Sequence, residues 1–243
     1  MNQAFLREAM LLGADAPDRL GACHVAVFGV GGVGSYCAEA LARAGVGALT
    51  LVDNDTVSET NLNRQLVALH STLGRPKSDV MAERVLDINP ACRVTSLPEL
   101  YSEAGKHRFF EGRQYDYIVD AIDLVSCKLS LIETAVALAV PIISAMGTGN
   151  KLDPTRFRIA DLAETAGCPL ARIMRKELRA RGVIHHTVLF SDEPAAKPLE
   201  LEAPPPGRRS IPASVSWVPS CAGLMIAGHV IQSLLRDGIP GSA

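Results

Sequence analysis

VAVFGVGGVGSYCAEALARAG, residues 25–45, predicts a buried strand, a glycine-rich turn and a helix. The apolar run rich in valine is typical of a strand that is covered on both faces, as in a parallel sheet. Gly29, Gly31 and Gly34 fit the spacing G-x-G-x-x-G, which permits a tight turn and a phosphate at the helix N-terminus. The stretch predicts a nucleotide-binding turn and leaves the nucleotide open.

The alternation of strands and helices continues downstream. We expect strands at residues 48–53, 92–97, 115–123 and 140–147, with helices at 76–90 and 127–139. This spacing predicts an α/β fold with a Rossmann-like, doubly wound and mainly parallel sheet, in which ligands bind beyond the carboxyl ends of the strands. After Gly149 we expect a strand with a turn, a helix at 168–182, a short strand at 213–219 and a last helix.

Composition limits the domain organisation. The chain has 243 residues, 48% of them hydrophobic, which is enough for one sizeable core. We expect a single domain over residues 1–243, with an N-terminal helical arm at 1–22 and a mobile proline-rich loop at 191–213.

Charge and cysteine usage limit the partners and the compartment. A net charge of −2 gives no whole-protein attraction to nucleic acid or membrane, so such a partner would need a local patch. The six cysteines are scattered without a C-x-x-C pair, which favours a reduced, cytoplasmic setting. Residues 218–235 are apolar but contain His229 and Gln232, so we expect a buried helix and no membrane span.

Charged residues after the second strand bear on the choice of nucleotide. Asp53 ends that strand, where a carboxylate can accept hydrogen bonds from ribose hydroxyls. Arg64 and Lys77 follow, and a triphosphate needs such cations far more than the pyrophosphate of a dinucleotide does. Asn61 and Gln65 lie beside Arg64 and favour a phosphate site, although two solvated surface cations remain the alternative.

Two carboxylates end the fourth strand and face the same crevice. A carboxylate at this place can hold Mg²⁺ on the phosphates of a nucleotide. Asp123 lies further along the chain and is the candidate for the metal, whereas Asp120 either joins it or only shapes the loop.

Several separate motifs occur in an order that resembles a known family. GVGGVGSY, LVDNDTVSETNLNRQ, GRPKSDVMAERVLDINP and VDAID resemble the ThiF/MoeB/HesA family, relatives of the ubiquitin-activating enzymes that adenylylate a carboxylate with ATP. The resemblance spans roughly residues 5–150. Residues 146–182 and 210–231 are similar to the tRNA threonylcarbamoyladenosine dehydratase branch of that family.

The resemblance implies an ATP-dependent dehydration of threonylcarbamoyladenosine in tRNA, a cyclisation that proceeds through adenylylation of the threonyl carboxylate. It implies ATP and Mg²⁺ as cofactors. The nucleotide-binding residues that it implies are Gly29, Gly31, Gly32, Gly34, Asp53, Asp55, Asn61, Arg64, Gln65, Lys77, Asp120 and Asp123.

Four residues carry the implied catalysis. Arg64 and Lys77 would bind the triphosphate, and Asp123 would bind Mg²⁺. Arg7 matches an N-terminal arginine that family dimers offer to the partner's active site, so the resemblance implies a homodimer. The alternative for Arg7 is an exposed charge on a first helix.

The cysteine pattern of this sequence differs from that of the family. ThiF and MoeB carry two C-x-x-C pairs that hold zinc, and this sequence has none, so we expect no zinc site. A cysteine in the thioester-transfer loop of those enzymes is also missing. Cys221 follows Ser220, a predicted N-cap, and is either a thiol of lowered pKa or a buried inert thiol.

A basic helix is the candidate contact for tRNA. Arg172, Arg175, Lys176 and Arg179 lie at helical spacing within an arc of about 100°, opposite Leu170, Ile173, Met174 and Leu178. Such a face contacts phosphates or is merely solvated. Arg208 and Arg209 in the proline-rich loop are a second candidate.

Three other functions stay open on the residues. The first is adenylylation of the C-terminus of a ubiquitin-like sulfur carrier, with a sulfur-transfer protein as partner, and the missing zinc cysteines count against it. The second is an NAD-dependent oxidoreductase, which leaves Arg64, Lys77 and Asp123 without a role. The third is a nucleotide sensor, which would bind ATP without releasing AMP.

Overall fold

A computed structural model of the chain describes residues 3–199, 201 and 212–236. The strands are β1 (His24–Phe28), β2 (Ala48–Val52), β3 (Arg93–Leu97), β4 (Tyr117–Asp120), β5 (Ile142–Ala145), β6 (Phe157–Asp161) and β7 (Thr187–Ser191). The α-helices are α1 (Leu6–Leu12), α2 (Ala16–Ala22), α3 (Gly34–Arg43), α4 (Lys77–Ile88), α5 (His107–Phe110), α6 (Val125–Ala137), α7 (Pro169–Ala180) and α8 (Trp217–Leu234).

Within the described residues, seven strands form one sheet in the order β3-β2-β1-β4-β5-β7-β6. Every neighbouring pair is parallel except β6 and β7. The strand β1 pairs with β2 on one side and with β4 on the other, so the direction of winding reverses between β1 and β4. In such sheets the crevice beyond the strand ends at the reversal is the usual ligand site. The predicted fold class is confirmed.

Both faces of the sheet are covered, because successive strand residues point to opposite sides. Val25 and Val27 of β1 belong to a core with α3, α4 and α8, whereas Ala26 and Phe28 belong to a core with α6 and α7. All four side chains are fully buried, which explains the continuous apolar run in the sequence. The glycine loop after β1 therefore sits on a rigid base.

The second half of the chain departs from the expectations. Residues 213–219 were expected to form a strand, but α8 begins at Trp217, after its N-cap Ser216. Pro219 lies in the first turn of α8, where proline is tolerated because the missing N–H has no helical partner there. The strand β7 had no counterpart in the prediction.

The N-terminal arm and the proline-rich loop of the prediction are only partly described. The arm forms a short 3₁₀ turn followed by α1 and α2. In the proline-rich loop, residues 192–199, 201, 212 and 213 lie outside helix and strand. Residue 200 and residues 202–211, with Arg208 and Arg209, lie outside the described residues. Among the described helices, none has the length and apolarity needed to cross a membrane.

Candidate functional site

A cavity of about 450 Å³ lies beyond the carboxyl ends of β1, β2 and β4. Its lining includes nine of the predicted site residues, namely Gly29, Gly31, Gly32, Asp53, Asp55, Arg64, Gln65, Lys77 and Asp123. Lining residues as far apart in the chain as Phe28 and Pro219 meet there, and those that follow the strands do so because parallel strands end at one edge of the sheet.

The glycine loop is built by close backbone approach. Gly29 has a φ of +89°, and a Cβ there would lie 2.6 Å from the carbonyl oxygen of Ala121. A Cβ at Gly34 would lie 1.8 Å from the carbonyl oxygen of Gly29. Only glycine fits either position. Gly34 thus shapes the loop without lining the cavity, whereas Gly31 and Gly32 face it.

Asp53 fastens the loop to the end of β2. Its Oδ2 accepts a hydrogen bond from the Val30 N–H at 2.6 Å, and its Oδ1 accepts one from the Asp55 N–H at 2.8 Å. Burial raises the pKa of the Asp53 carboxyl, and the two backbone N–H bonds oppose that rise. Asp53 therefore holds the glycine loop in place and keeps further lone pairs for a ligand at the cavity wall.

Arg64 is a half-buried cation with no carboxylate within 4.0 Å among the described residues. Its Nη1 donates to the carbonyl oxygen of Thr60 at 2.7 Å and to Oδ1 of Asn63 at 2.9 Å. Burial lowers the pKa of the guanidinium. A desolvated cation at a cavity wall favours an anionic ligand.

Gln65 adds an unsatisfied polar atom to the same wall. The residue is buried, and its Oε1 has no hydrogen-bond partner. Buried polar side-chain atoms are usually paired, so an unpaired one at a cavity fits a site that takes a polar ligand.

Lys77 begins α4 and is 4% exposed. Its Nζ donates to Oδ2 of Asp55 at 2.8 Å, and its N–H donates to the carbonyl oxygen of Asp55 at 3.0 Å. The carboxylate of Asp55 is 61% exposed and lies towards the cavity. Asp55 thereby orients a buried ammonium group that can also meet a phosphate.

Besides Gly34, three predicted site residues do not line the cavity. Asn61 is buried and its Oδ1 accepts from the Ser58 N–H at 3.1 Å, so it caps the turn before Arg64. Asp120 is fully buried and pairs with Lys128 behind the cavity. Arg7 is exposed on α1 and does not line the cavity of its own chain.

Several lining residues were missed by the sequence prediction. Glu99 and Tyr101 follow β3, and Thr148 follows β5. The rule that ligands meet residues just after parallel strands could have found these three. Ser214 and Pro219 also line the cavity, and nothing in their sequence neighbourhood indicated it.

The predicted basic face of α7 is smaller than expected. Arg172, Lys176 and Arg179 are exposed. Arg175 is half-buried, and its Nη1 donates to the carbonyl oxygens of Leu162 at 3.1 Å and Thr165 at 2.8 Å. Its guanidinium is used to hold the preceding turn. Ile173, which was expected to face the core, is 46% exposed.

Cys221 does not open the last helix. The N-cap of α8 is Ser216, and Ser220 donates to the carbonyl oxygen of Ser216 at 2.8 Å within the first turn. The prediction that Ser220 caps the helix is therefore wrong, and with it the argument that Cys221 lies at a helix N-terminus.

Comparison with known proteins agrees with this geometry. The profile described as the ThiF family matches residues 5–242. The chain belongs to the ThiF family. A protein of Bacillus subtilis named tRNA threonylcarbamoyladenosine dehydratase is 43% identical over 249 residues, covering 98% of this chain and 96% of that protein. A protein of the same name from Escherichia coli is 42% identical over 178 residues, covering 73% of this chain and 66% of that protein.

A solved structure of a related protein has the same overall fold. The E. coli dehydratase TcdA in complex with ATP superposes with a TM-score of 0.86 at 34% identity, covering 96% of this chain and 94% of that chain. The predicted family is thus confirmed, and the chain is similar to proteins of the predicted branch.

Proposed function

We propose that this protein is an ATP-dependent tRNA threonylcarbamoyladenosine dehydratase, which adenylylates the threonyl carboxylate and promotes its cyclisation. The observation that carries the proposal is the convergence of Gly31, Asp53, Arg64, Lys77 and Asp123 on one cavity. The full-length similarity to relatives of that name supports the choice of substrate.

Adenylylation begins with two anions that repel each other. The threonyl carboxylate oxygen attacks the α-phosphorus of ATP, and the bond from that phosphorus to the bridging oxygen of pyrophosphate breaks. Negative charge grows on the leaving pyrophosphate, and the Arg64 guanidinium and the Lys77 ammonium at the cavity wall offset it. Asp53 and the glycines keep the loop in the shape that receives the nucleotide.

Cyclisation uses the better leaving group made in the first step. The carbamoyl group attacks the carbonyl carbon of the acyl-adenylate, loses a proton, and displaces AMP. The ring closes, and the nucleoside loses the elements of one water. The oxygen of that water is the former carboxylate oxygen, which leaves as part of AMP. An acyl-adenylate held within the cavity walls is shielded in part from bulk water, which would otherwise hydrolyse it.

Asp123 suits a magnesium ion that is shared with the phosphates. It lines the cavity beside the glycine loop. The described residues contain no group of three or more His, Cys, Asp or Glu side chains that could hold a metal by themselves. A Mg²⁺ there would take phosphate and water oxygens as its other ligands and would neutralise phosphate charge.

The exposed cations of α7 are the proposed contact with tRNA phosphates. A Cβ at Gly147 would lie 4.0 Å from Cβ of Leu170, so the first turn of α7 is next to the segment that carries the cavity residue Thr148. Arg172, Lys176 and Arg179 follow along one face over about 10 Å. The basic face therefore begins near the segment that carries Thr148.

We further propose a cytoplasmic homodimer in which Arg7 serves the partner's site. All six cysteines are free, as expected in a reducing compartment. Arg7 is exposed beside Met10 and Leu11, which are 81% and 76% exposed on the same helix, and such apolar exposure favours an interface. We also propose that the chain is a single domain.

The decisive experiment supplies two candidate acyl substrates. The protein is incubated with ATP, Mg²⁺ and either tRNA that contains threonylcarbamoyladenosine or a ubiquitin-like sulfur carrier. We expect release of AMP and pyrophosphate only with the tRNA, and loss of one water from the modified nucleoside by mass spectrometry. Turnover with the carrier alone would replace the proposed substrate, and ATP binding without AMP release would indicate a sensor.

A further inference from the structure

A buried ion pair lies behind the cavity and has no place in the chemistry described so far. Lys128 of α6 and Asp120 at the end of β4 have side chains that are 0% exposed, and Nζ lies 2.9 Å from Oδ2. Two charges removed from water in this way seldom add net stability, and apolar side chains of similar volume often serve as well. Their placement therefore calls for a reason other than holding the core together.

Both side chains form hydrogen bonds with the backbone of Ile122, a residue that lines the cavity. Lys128 Nζ donates to the carbonyl oxygen of Ile122 at 3.0 Å, and the Ile122 N–H donates to Oδ1 of Asp120 at 3.1 Å. The segment Ala121–Leu124 lines the cavity as a whole and contains Asp123. The ion pair thus fixes the backbone from which Asp123 projects.

The same segment packs on the glycine loop. The Ala121 N–H donates to the carbonyl oxygen of Phe28 at 2.7 Å, and the Ala121 carbonyl oxygen lies 2.6 Å from the place where a Cβ of Gly29 would be. A shift of Ala121–Leu124 would therefore move the phosphate-binding turn as well as Asp123.

Ser144 of β5 and His186, just before β7, complete the network. Ser144 Oγ donates to Oδ2 of Asp120 at 2.6 Å, so its oxygen accepts from Nε2 of His186 at 2.8 Å. Burial holds the pKa of His186 down to about 4, which keeps the imidazole neutral, and the acceptor oxygen of Ser144 places its proton on Nε2. Asp120 thus accepts hydrogen bonds from Ser144 and Ile122 and forms an ion pair with Lys128, and these three contacts orient its carboxylate.

We propose that Lys128 and Asp120 are positioning residues for adenylylation, which hold Ala121–Leu124 so that Asp123 and the glycine loop keep ATP in line with the attacking carboxylate. The proposal rests on the proposed function. Neither residue touches the nucleotide, and both act through the backbone of Ile122.

The test compares variants by AMP formation per folded molecule. Lys128→Met alone would leave a buried carboxylate unpaired, so the main variant is Lys128→Met with Asp120→Asn, which removes both charges. Ser144→Ala is a milder variant that keeps the ion pair. Arg84→Met is the matched control, because it breaks the pair that Arg84 makes with Glu39 at 2.6 Å between α3 and α4.

We expect the double variant to fold by circular dichroism and to lose about a hundredfold in kcat with substrate tRNA, because small misplacements of reacting groups cost that much. Its Kd for ATP with Mg²⁺, measured by calorimetry, should change far less. Ser144→Ala should lose less kcat, and Arg84→Met should lose thermal stability with kcat unchanged.

Wild-type kcat in the folded double variant would overturn the positioning role. If the double variant fails to fold, wild-type kcat in Ser144→Ala overturns it in the same way. Absence of AMP formation by the unaltered protein would instead overturn the proposed function, so the two failures are distinguishable.

Discussion

Single residues at the cavity wall combine burial with charge, and that combination separates this site from an ordinary glycine turn. Arg64 is half-buried without a carboxylate beside it among the described residues, and Lys77 is buried and pairs with Asp55. Both cations were selected from their spacing after Asp53, and the structure brings all three to one cavity. Their roles toward ATP remain predictions.

We predict that Arg64→Ala and Lys77→Ala each keep the fold and lose about a hundredfold in ATP turnover, because each removes one group that offsets charge on pyrophosphate. Initial rates of pyrophosphate release, with circular dichroism as the fold check, measure this. Arg158→Ala, whose side chain is 69% exposed, is the matched control and should turn over ATP normally. Wild-type turnover in either cavity variant would contradict the assignment.

His186 makes the stability of the protein depend on pH. Its pKa is lowered from 6.5 to about 4, so the unfolded chain takes up a proton before the folded chain does. This contribution is fully present above pH 6.5 and is lost as the pH falls toward 4, about 3 kcal/mol in all. In His186→Gln the unfolding free energy, measured with denaturant at several pH values, should fall less over that range. Parallel curves for the two proteins would contradict the prediction.

The positions of the helices and strands depend on backbone contacts that the sequence predicts only in part. The turn between β1 and α3 needs glycine at positions 29 and 34 for steric reasons, whereas a Cβ at Gly31 would meet only Nε2 of Gln65, at 3.8 Å. The same motif thus contains glycines that build the loop and a glycine that leaves room for a ligand.

We predict different outcomes for two alanine substitutions in this motif. Gly34→Ala should lower the melting temperature strongly, because its Cβ cannot fit against the backbone of Gly29. Gly31→Ala should keep the melting temperature and weaken ATP binding, since the methyl group enters the cavity. Thermal unfolding and calorimetric titration with ATP measure both effects. Equal melting temperatures for the two variants would contradict this division.

The helix α7 carries the prediction for tRNA. Reversing Arg172, Lys176 and Arg179 to Glu should weaken tRNA binding and make its salt dependence shallower, by roughly 0.7–0.9 in slope for each phosphate that the protein no longer neutralises. Binding assays over a range of salt concentrations test it. Arg175→Glu should instead lower stability, because its guanidinium holds the turn at Leu162 and Thr165. Unchanged affinity in the triple variant would remove α7 from the interface.

At the scale of the whole molecule, Arg7 bears on whether two chains share each site. It is exposed on α1 and does not line the cavity of its own chain. An arginine in that place can assist catalysis only if another copy of the chain approaches.

We predict that Arg7→Ala and Arg64→Ala are each inactive alone and regain activity when mixed. A mixed dimer holds one intact site of its two, and half of randomly paired dimers are mixed, so about a quarter of wild-type activity should return. Rates after subunit exchange, with ultracentrifugation as the check for a dimer, measure this. Normal activity in Arg7→Ala alone would show that the residue is only a surface charge.

The sequence by itself determined the sheet class, the glycine-rich turn after β1 and nine of the residues that line the cavity. Local patterns suffice for these, because buried parallel strands are continuously apolar and their ends carry the ligand-binding side chains. It favoured Asp123 as the metal residue but could not decide whether Asp120, which pairs with Lys128 behind the cavity, belongs to the site as well. It also could not foresee that Arg175 is tied to backbone carbonyls or that α8 begins at Trp217. Those outcomes depend on contacts with segments far away in the chain, and only the packed tertiary structure brings those segments together.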